Sequence, residues 1–89
     1  MSRHQIPDLP EKYNMIIVGW DPPMSTFFAQ VYVIGEWDMD TDEPTKFIGY
    51  MPREAFFIAR LMRWLEVECD ITMSDDLLAM LAADKVHDQ

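Results

Sequence analysis

Few residues in this chain have the types and spacing that chemistry requires. Asp38-Met39-Asp40-Thr41-Asp42 matches the first three ligand positions of a calcium loop. The match then fails. Glu43 stands where the loop needs glycine for its sharp turn, Pro44 follows, and Gly49 takes the place of the bidentate glutamate. Nucleophiles and bases are equally sparse. His4 and His87 lie near the two termini, and Ser25 and Thr26 follow Pro22-Pro23 in a turn without a nucleophile-elbow pattern. Cys69 falls on an apolar helix stripe, where a thiol is usually a small buried hydrophobe. The three glycines form no phosphate-binding loop. These residues predict neither an enzyme nor a cofactor or metal site.

The carboxylates carry a clearer pattern. In extended backbone Glu36, Asp38, Asp40 and Asp42 project the same way at intervals of about 6.6–7 Å. Phosphates along one nucleic-acid strand are spaced comparably, so a Lys/Arg groove that tracks a backbone would accept such a row. A turn near Asp40 would break it. Glu66, Glu68, Asp70, Asp75 and Asp76 form a second acidic group around a joint between helices. Both groups also fit plain solubilising decoration, and Asp75 and Asp76 suit a helix N-terminus.

The whole chain sharpens that choice. Its 89 residues make one domain, and 16 Asp and Glu against 7 Lys and Arg leave a formal charge of -9. Direct binding to nucleic acid or to an anionic membrane is disfavoured, because both need basic residues. Attraction to a basic protein surface is the converse. At 49% hydrophobic the chain is too apolar for disorder, its single cysteine excludes an internal disulfide framework, and no apolar run is long enough to span a membrane. The first residues show no apolar signal-peptide core, so the expected location is cytoplasmic.

The elements that must position these residues follow from periodicity. Residues 1–11 hold two prolines and read as a loose arm, 12–85 as a single domain and 86–89 as a frayed tail. Residues 12–20 are a strand candidate, in which Gly19 marks a bulge or a close backbone approach. From 27 to 39, Phe27, Ala29, Val31, Val33, Gly35, Trp37 and Met39 share a core face, while Phe28, Gln30, Tyr32, Ile34, Glu36 and Asp38 share a mixed, partly wet one. Residues 46–51 return as a third strand. A helix is expected from Pro52 to about Cys69, with Ile58, Leu61, Met62, Leu65 and Cys69 on its buried stripe. Ser74 caps a last helix that buries Leu77, Leu78, Met80 and Leu81. The expected class is α+β: a three-stranded antiparallel sheet followed by two helices packed on one face, in the order β-β-β-α-α.

Two surfaces emerge as candidates. The acidic hairpin offers Glu36, Asp38, Asp40, Asp42 and Glu43 to a partner, with Trp37 and Tyr32 as aromatic anchors if their rings are exposed. The outer arc of the long helix offers Phe56, Arg60, Arg63 and Val67, a composition typical of interfaces. Such an arc suits self-association as a homodimer or docking of an accessory domain; alternatively Phe56 packs beneath the arm and the chain is a monomer.

Residues 19–31, Gly-Trp-Asp-Pro-Pro-Met-Ser-Thr-Phe-Phe-Ala-Gln-Val, resemble a group of small bacterial proteins that share a Gly-Trp-Asp-x-Pro-x-x-Thr-Phe-Phe-Ala-Gln-Val core. A strand and a Pro-Arg-Glu start follow that core, matched here by Pro52-Arg53-Glu54, and the likeness covers roughly residues 14 to 85. The motif marks a family and says little about chemistry. The chain is also similar to anti-CRISPR proteins of mobile elements, some of which use a small acidic α+β fold against type I surveillance complexes. That resemblance implies an inhibitor whose partner is the basic, nucleic-acid-binding surface of a larger complex. It carries over no functional residues.

Overall fold

The structure, a computed structural model, describes residues 2–7, 9–35 and 43–87. Four strands form one antiparallel sheet in chain order: β1 (His4–Gln5), β2 (Tyr13–Asp21), β3 (Thr26–Val33) and β4 (Lys46–Ile48). Two helices follow, α1 (Ile58–Cys69) and α2 (Asp75–His87). The expected α+β arrangement is present, and a short fourth strand extends its sheet.

Alternation along β2 and β3 divides the sheet into two faces. Ile16, Val18 and Trp20 point to the helices together with Phe27, Ala29 and Val31. Leu61, Leu65 and Cys69 of α1 and Leu77 and Leu81 of α2 close this core. Met80, expected inside, is 46% exposed. Trp20 is buried edge-on to Phe27, with ring centroids 4.9 Å apart, and its indole N–H has no hydrogen-bond partner among the described residues. The opposite face carries a small separate cluster of Ile17, Phe28 and Tyr32, with Met15 against it. Gly19 permits that cluster, since a Cβ there would lie 2.7 Å from the Phe28 ring and 2.0 Å from the Ser2 carbonyl oxygen. Close approach is therefore the role of this glycine, and the register irregularity lies between Tyr13 and Met15.

Within the segment expected as a loose arm, His4–Gln5 pair with β2 as β1. Ser2 N–H donates to the Trp20 carbonyl and Ile6 N–H to that of Ile16, and Ile6 is buried in the core. The edge of β2 offered unpaired backbone groups, and burying Ile6 helps offset the ordering of the segment.

The expected helix start at Pro52 is also corrected. Arg53 has φ 57°, and Phe57, the N-cap of α1, is extended at φ -101° and ψ 140°. Tertiary hydrogen bonds hold this loop. The Ala55 N–H donates to the Thr26 hydroxyl at 2.7 Å, the Phe27 N–H to the Ala55 carbonyl at 2.9 Å, and the Arg53 N–H to the Met24 carbonyl at 2.9 Å. Thr26 is fully buried and donates its own proton to the Phe27 carbonyl. Glu54 turns back and accepts the N–H groups of Gly49 and Tyr50 at 2.8 and 3.1 Å. At the other helix the Ser74 hydroxyl accepts the Leu77 N–H, which is the expected cap. α2 continues to His87, past the point where fraying was expected.

Candidate protein-binding surfaces

Strand β3 ends at Val33, and Gly35 takes φ 87°, so the alternation read along 27–39 is interrupted before the acidic row. Glu36, Trp37, Asp38, Asp40 and Asp42 lie outside the described residues. Glu43 is exposed. Tyr32 is buried in the second cluster, 6% exposed, which removes it as a protruding anchor.

The ends of that connection are well placed. Tyr13 pairs with Val33, and the Tyr13 hydroxyl donates to the Cys69 carbonyl at 3.0 Å. Lys46, the first residue of β4, donates its ammonium to the Glu68 carbonyl at 2.9 Å and lies 3.9 Å from the Glu68 carboxylate. Thus α1 finishes at the end of the sheet from which the chain departs after Val33 and to which it returns before Lys46. Exposed Glu66, Glu68, Asp70, Asp75 and Asp76 cluster in sequence around this α1–α2 joint. The acidic α1–α2 joint therefore lies beside Val33 and Lys46, the ends of the stretch that carries the acidic row in sequence, with Lys12 and Lys46 as nearby cations.

Cys69 sits at the same end as a buried thiol. Burial pushes its pKa up, against the opposing influence of the Tyr13 hydrogen bond and the Lys46 charge. Burial also raises Tyr13, with the neighbouring Cys69 acting in the same direction. Neither group is thereby activated as a nucleophile or base.

At the opposite end two cations are set among aromatic rings. Lys85, near the end of α2, donates to the Phe56 carbonyl at 2.7 Å. Its ammonium lies 3.6 Å from the Phe56 ring centroid, 5.3 Å from Phe57, 5.4 Å from Trp20 and 5.8 Å from Phe27. The Arg53 guanidinium lies 4.4 Å from the Phe56 ring. One residue earlier, Asp84 meets His4 at 2.7 Å and ties α2 to β1. Burial pushes the Asp84 carboxyl up, but hydrogen bonds from His4 and Ser2 and the nearby His4 and His87 outweigh it and hold the group below its ordinary range.

The outer-arc patch is altered accordingly. Phe56 precedes α1 and packs against Trp20 with centroids 6.3 Å apart, while Arg60, Arg63 and Val67 remain exposed on the helix. The sequence reading placed Phe56 beside them only because it began the helix at Pro52. It also gave no role to Phe47 and Tyr50, whose exposed rings stack at 4.4 Å on the helix-free face of the sheet. The available signal was an aromatic residue on a short edge strand. Among the described residues no helix is long and apolar enough to cross a membrane.

In comparisons with protein-family models, curated proteins and solved structures, nothing matches this chain.

Proposed function

We propose that this chain is a protein-binding inhibitor whose acidic end occupies a basic, nucleic-acid-binding surface of a larger complex and excludes the nucleic acid. The supporting observation is that Val33 and Lys46, which flank the acidic row in sequence, lie beside a second, exposed acidic group at the C-terminus of α1. Residues 36–42 connect strand ends that lie beside the α1 C-terminus, where Glu66, Glu68 and Asp70 are exposed. At the far end Arg53 and Lys85 offset Asp21, Glu54 and Asp84, so the negative charge of the described residues is weighted towards the α1–α2 joint. A polarised anion orients as it approaches a basic surface, and its association accelerates at low salt. The sequence resemblance selects a type I CRISPR surveillance complex as the target to test.

The decisive comparison uses such a complex, a fluorescent target duplex and anisotropy as the readout. Wild-type chain is expected to displace the duplex, less effectively as salt rises from about 50 to about 200 mM. Reversal of Asp38, Asp40 and Asp42 to Lys abolishes displacement with the circular dichroism spectrum unchanged. Undiminished displacement by the reversed protein refutes the proposal. Self-association through the outer arc is the weaker reading, because Phe56 precedes α1 and is partly buried against the core beside Trp20.

A further inference from the structure

Chain alternation sends Ile17, Phe28, Gln30 and Phe47 to the face of the sheet that no helix covers. Phe47 is 52% exposed and Tyr50 45% exposed, with their ring planes 28° apart. Two cavities flank this ring pair and share Gln30 and Tyr50 as a common wall. One, of about 260 Å³, lies between the Phe28 and Tyr50 rings and has Asp21 in its lining. The other, of about 370 Å³, is lined by Tyr32, Phe47 and Tyr50 and includes Glu43. Each therefore combines aromatic surface with a single carboxylate.

The shared wall is built rather than incidental. Gln30 donates its amide to the Tyr50 hydroxyl at 2.7 Å. The Tyr50 backbone is fixed by Glu54. Gly49 takes φ 90° and lies flat on β3, where a Cβ would sit 2.2 Å from the Phe27 carbonyl oxygen. The remaining acceptor of Gln30 already meets a guanidinium, since Arg3 approaches its Oε1 at 3.5 Å.

We infer that this groove holds arginine side chains of a protein partner. A guanidinium is planar and weakly hydrated, stacks on aromatic faces and pairs with carboxylates. Asp21 in one cavity and Glu43 in the other, with the exposed Phe47 and Tyr50 rings between the two, supply those contacts. A purely apolar ligand leaves the carboxylates unused. A nucleic-acid strand meets two carboxylates on a chain of net charge -9. The inference rests on the proposed function for the partner being a basic protein, and adds where that partner's arginines are held.

The test is an NMR titration of the whole isotope-labelled chain with a blocked peptide of alternating arginine and serine, and with its lysine and citrulline counterparts. The arginine peptide is expected to shift the Gln30 side-chain amide and the backbone amides of Phe47 and Tyr50. Binding is about tenfold weaker for the citrulline peptide and several-fold weaker for the lysine peptide. The exposed-ring variant Phe47→Ser/Tyr50→Ser loses about tenfold in affinity, and Asp21→Asn weakens binding with the rings intact. The Asp38, Asp40 and Asp42 reversal keeps the sheet-face shifts, so failure of the inhibitor reading and failure of the groove are separate results. No response to the arginine peptide, an equal response to citrulline or lysine, shifts confined to 36–42 and 66–76, or the same shifts with an oligothymidine would each overturn the inference.

Discussion

Lys85 offers the most direct check on how α2 is held. Lys85→Met keeps an unbranched stem of similar length and removes both the charge and the donor. The lost hydrogen bond runs from a charged group to the Phe56 carbonyl at 2.7 Å, part-buried. Such bonds contribute about 1.5–3 kcal/mol, and solvent access places this one near the lower end. Contact with the Phe56 ring at 3.6 Å adds about 0.5–1 kcal/mol. The other three rings, between 5.3 and 5.8 Å, add less. A loss of about 2–3 kcal/mol follows, or a fall in Tm of roughly 10–20 °C for a domain this small. Urea unfolding followed by tryptophan fluorescence measures the first quantity, and thermal circular dichroism the second. A double-mutant cycle with Phe56→Leu isolates the ring contribution and should give a coupling of about 1 kcal/mol. A Lys85→Met variant within about 0.5 kcal/mol of wild type would refute the reasoning, since that is the scatter of ordinary surface substitutions.

Thr26→Val removes the only acceptor described for the Ala55 N–H, and leaving that buried donor unpaired should cost about 1–3 kcal/mol in urea denaturation. Gly49→Ala combines a φ of 90° with a Cβ 2.2 Å from the Phe27 carbonyl, so a loss of at least about 3 kcal/mol is expected. Gly35→Ala, with φ 87° and no neighbour within 4 Å among the described residues, should cost mainly the backbone strain of about 1–2 kcal/mol; equal losses at the two glycines would contradict the steric account. Asp84 has a lowered native pKa, so its ionised form is favoured by folding. Its contribution is present above the ordinary carboxylate value of about 4 and is lost as pH falls from there through the native value. Asp84→Asn should therefore be less stable than wild type by about 1 kcal/mol at pH 7, with the gap closing under acid; a gap that widens on acidification would reverse the sign.

Local periodicity made the sheet and the helix stripe legible. The alternation of Phe27, Ala29 and Val31 and the spacing of Leu61, Leu65 and Cys69 depend only on the geometry of a strand and a helix. The Ser74 cap was legible for the same reason. What failed depends on partners far away in sequence. Helix continuation from Pro52 seemed natural until the Thr26 hydroxyl took the Ala55 N–H and Glu54 turned its carboxylate to Gly49 and Tyr50. That exchange moved Phe56 off the helix surface and against the core, and with it the proposed self-association patch. Strand β1 gave no pattern because two paired residues are too few to alternate. Phe28 and Tyr32 were read as a wet face because nothing local reveals that a ring can lie over Gly19.

The acidic end and the sheet-face groove meet at Glu43. This residue follows directly on 36–42 and also lines the larger cavity beside Phe47. Two residues on, the Thr45 N–H donates to the Val31 carbonyl at 2.7 Å and its hydroxyl accepts the Val33 N–H at 3.2 Å, so this junction is held to β3. On the proposed reading, a basic partner drawn to the acidic end would thereby be delivered to the mouth of the groove. The two surfaces would then divide the work of binding. Carboxylates at the rim act at a distance of about a Debye length and govern the approach. Ring stacking in the groove acts only after contact and governs the departure. A chain with charge alone would attract many basic proteins indiscriminately. Arginine held beside Asp21 and Glu43 against the aromatic walls would give it a means to distinguish among them.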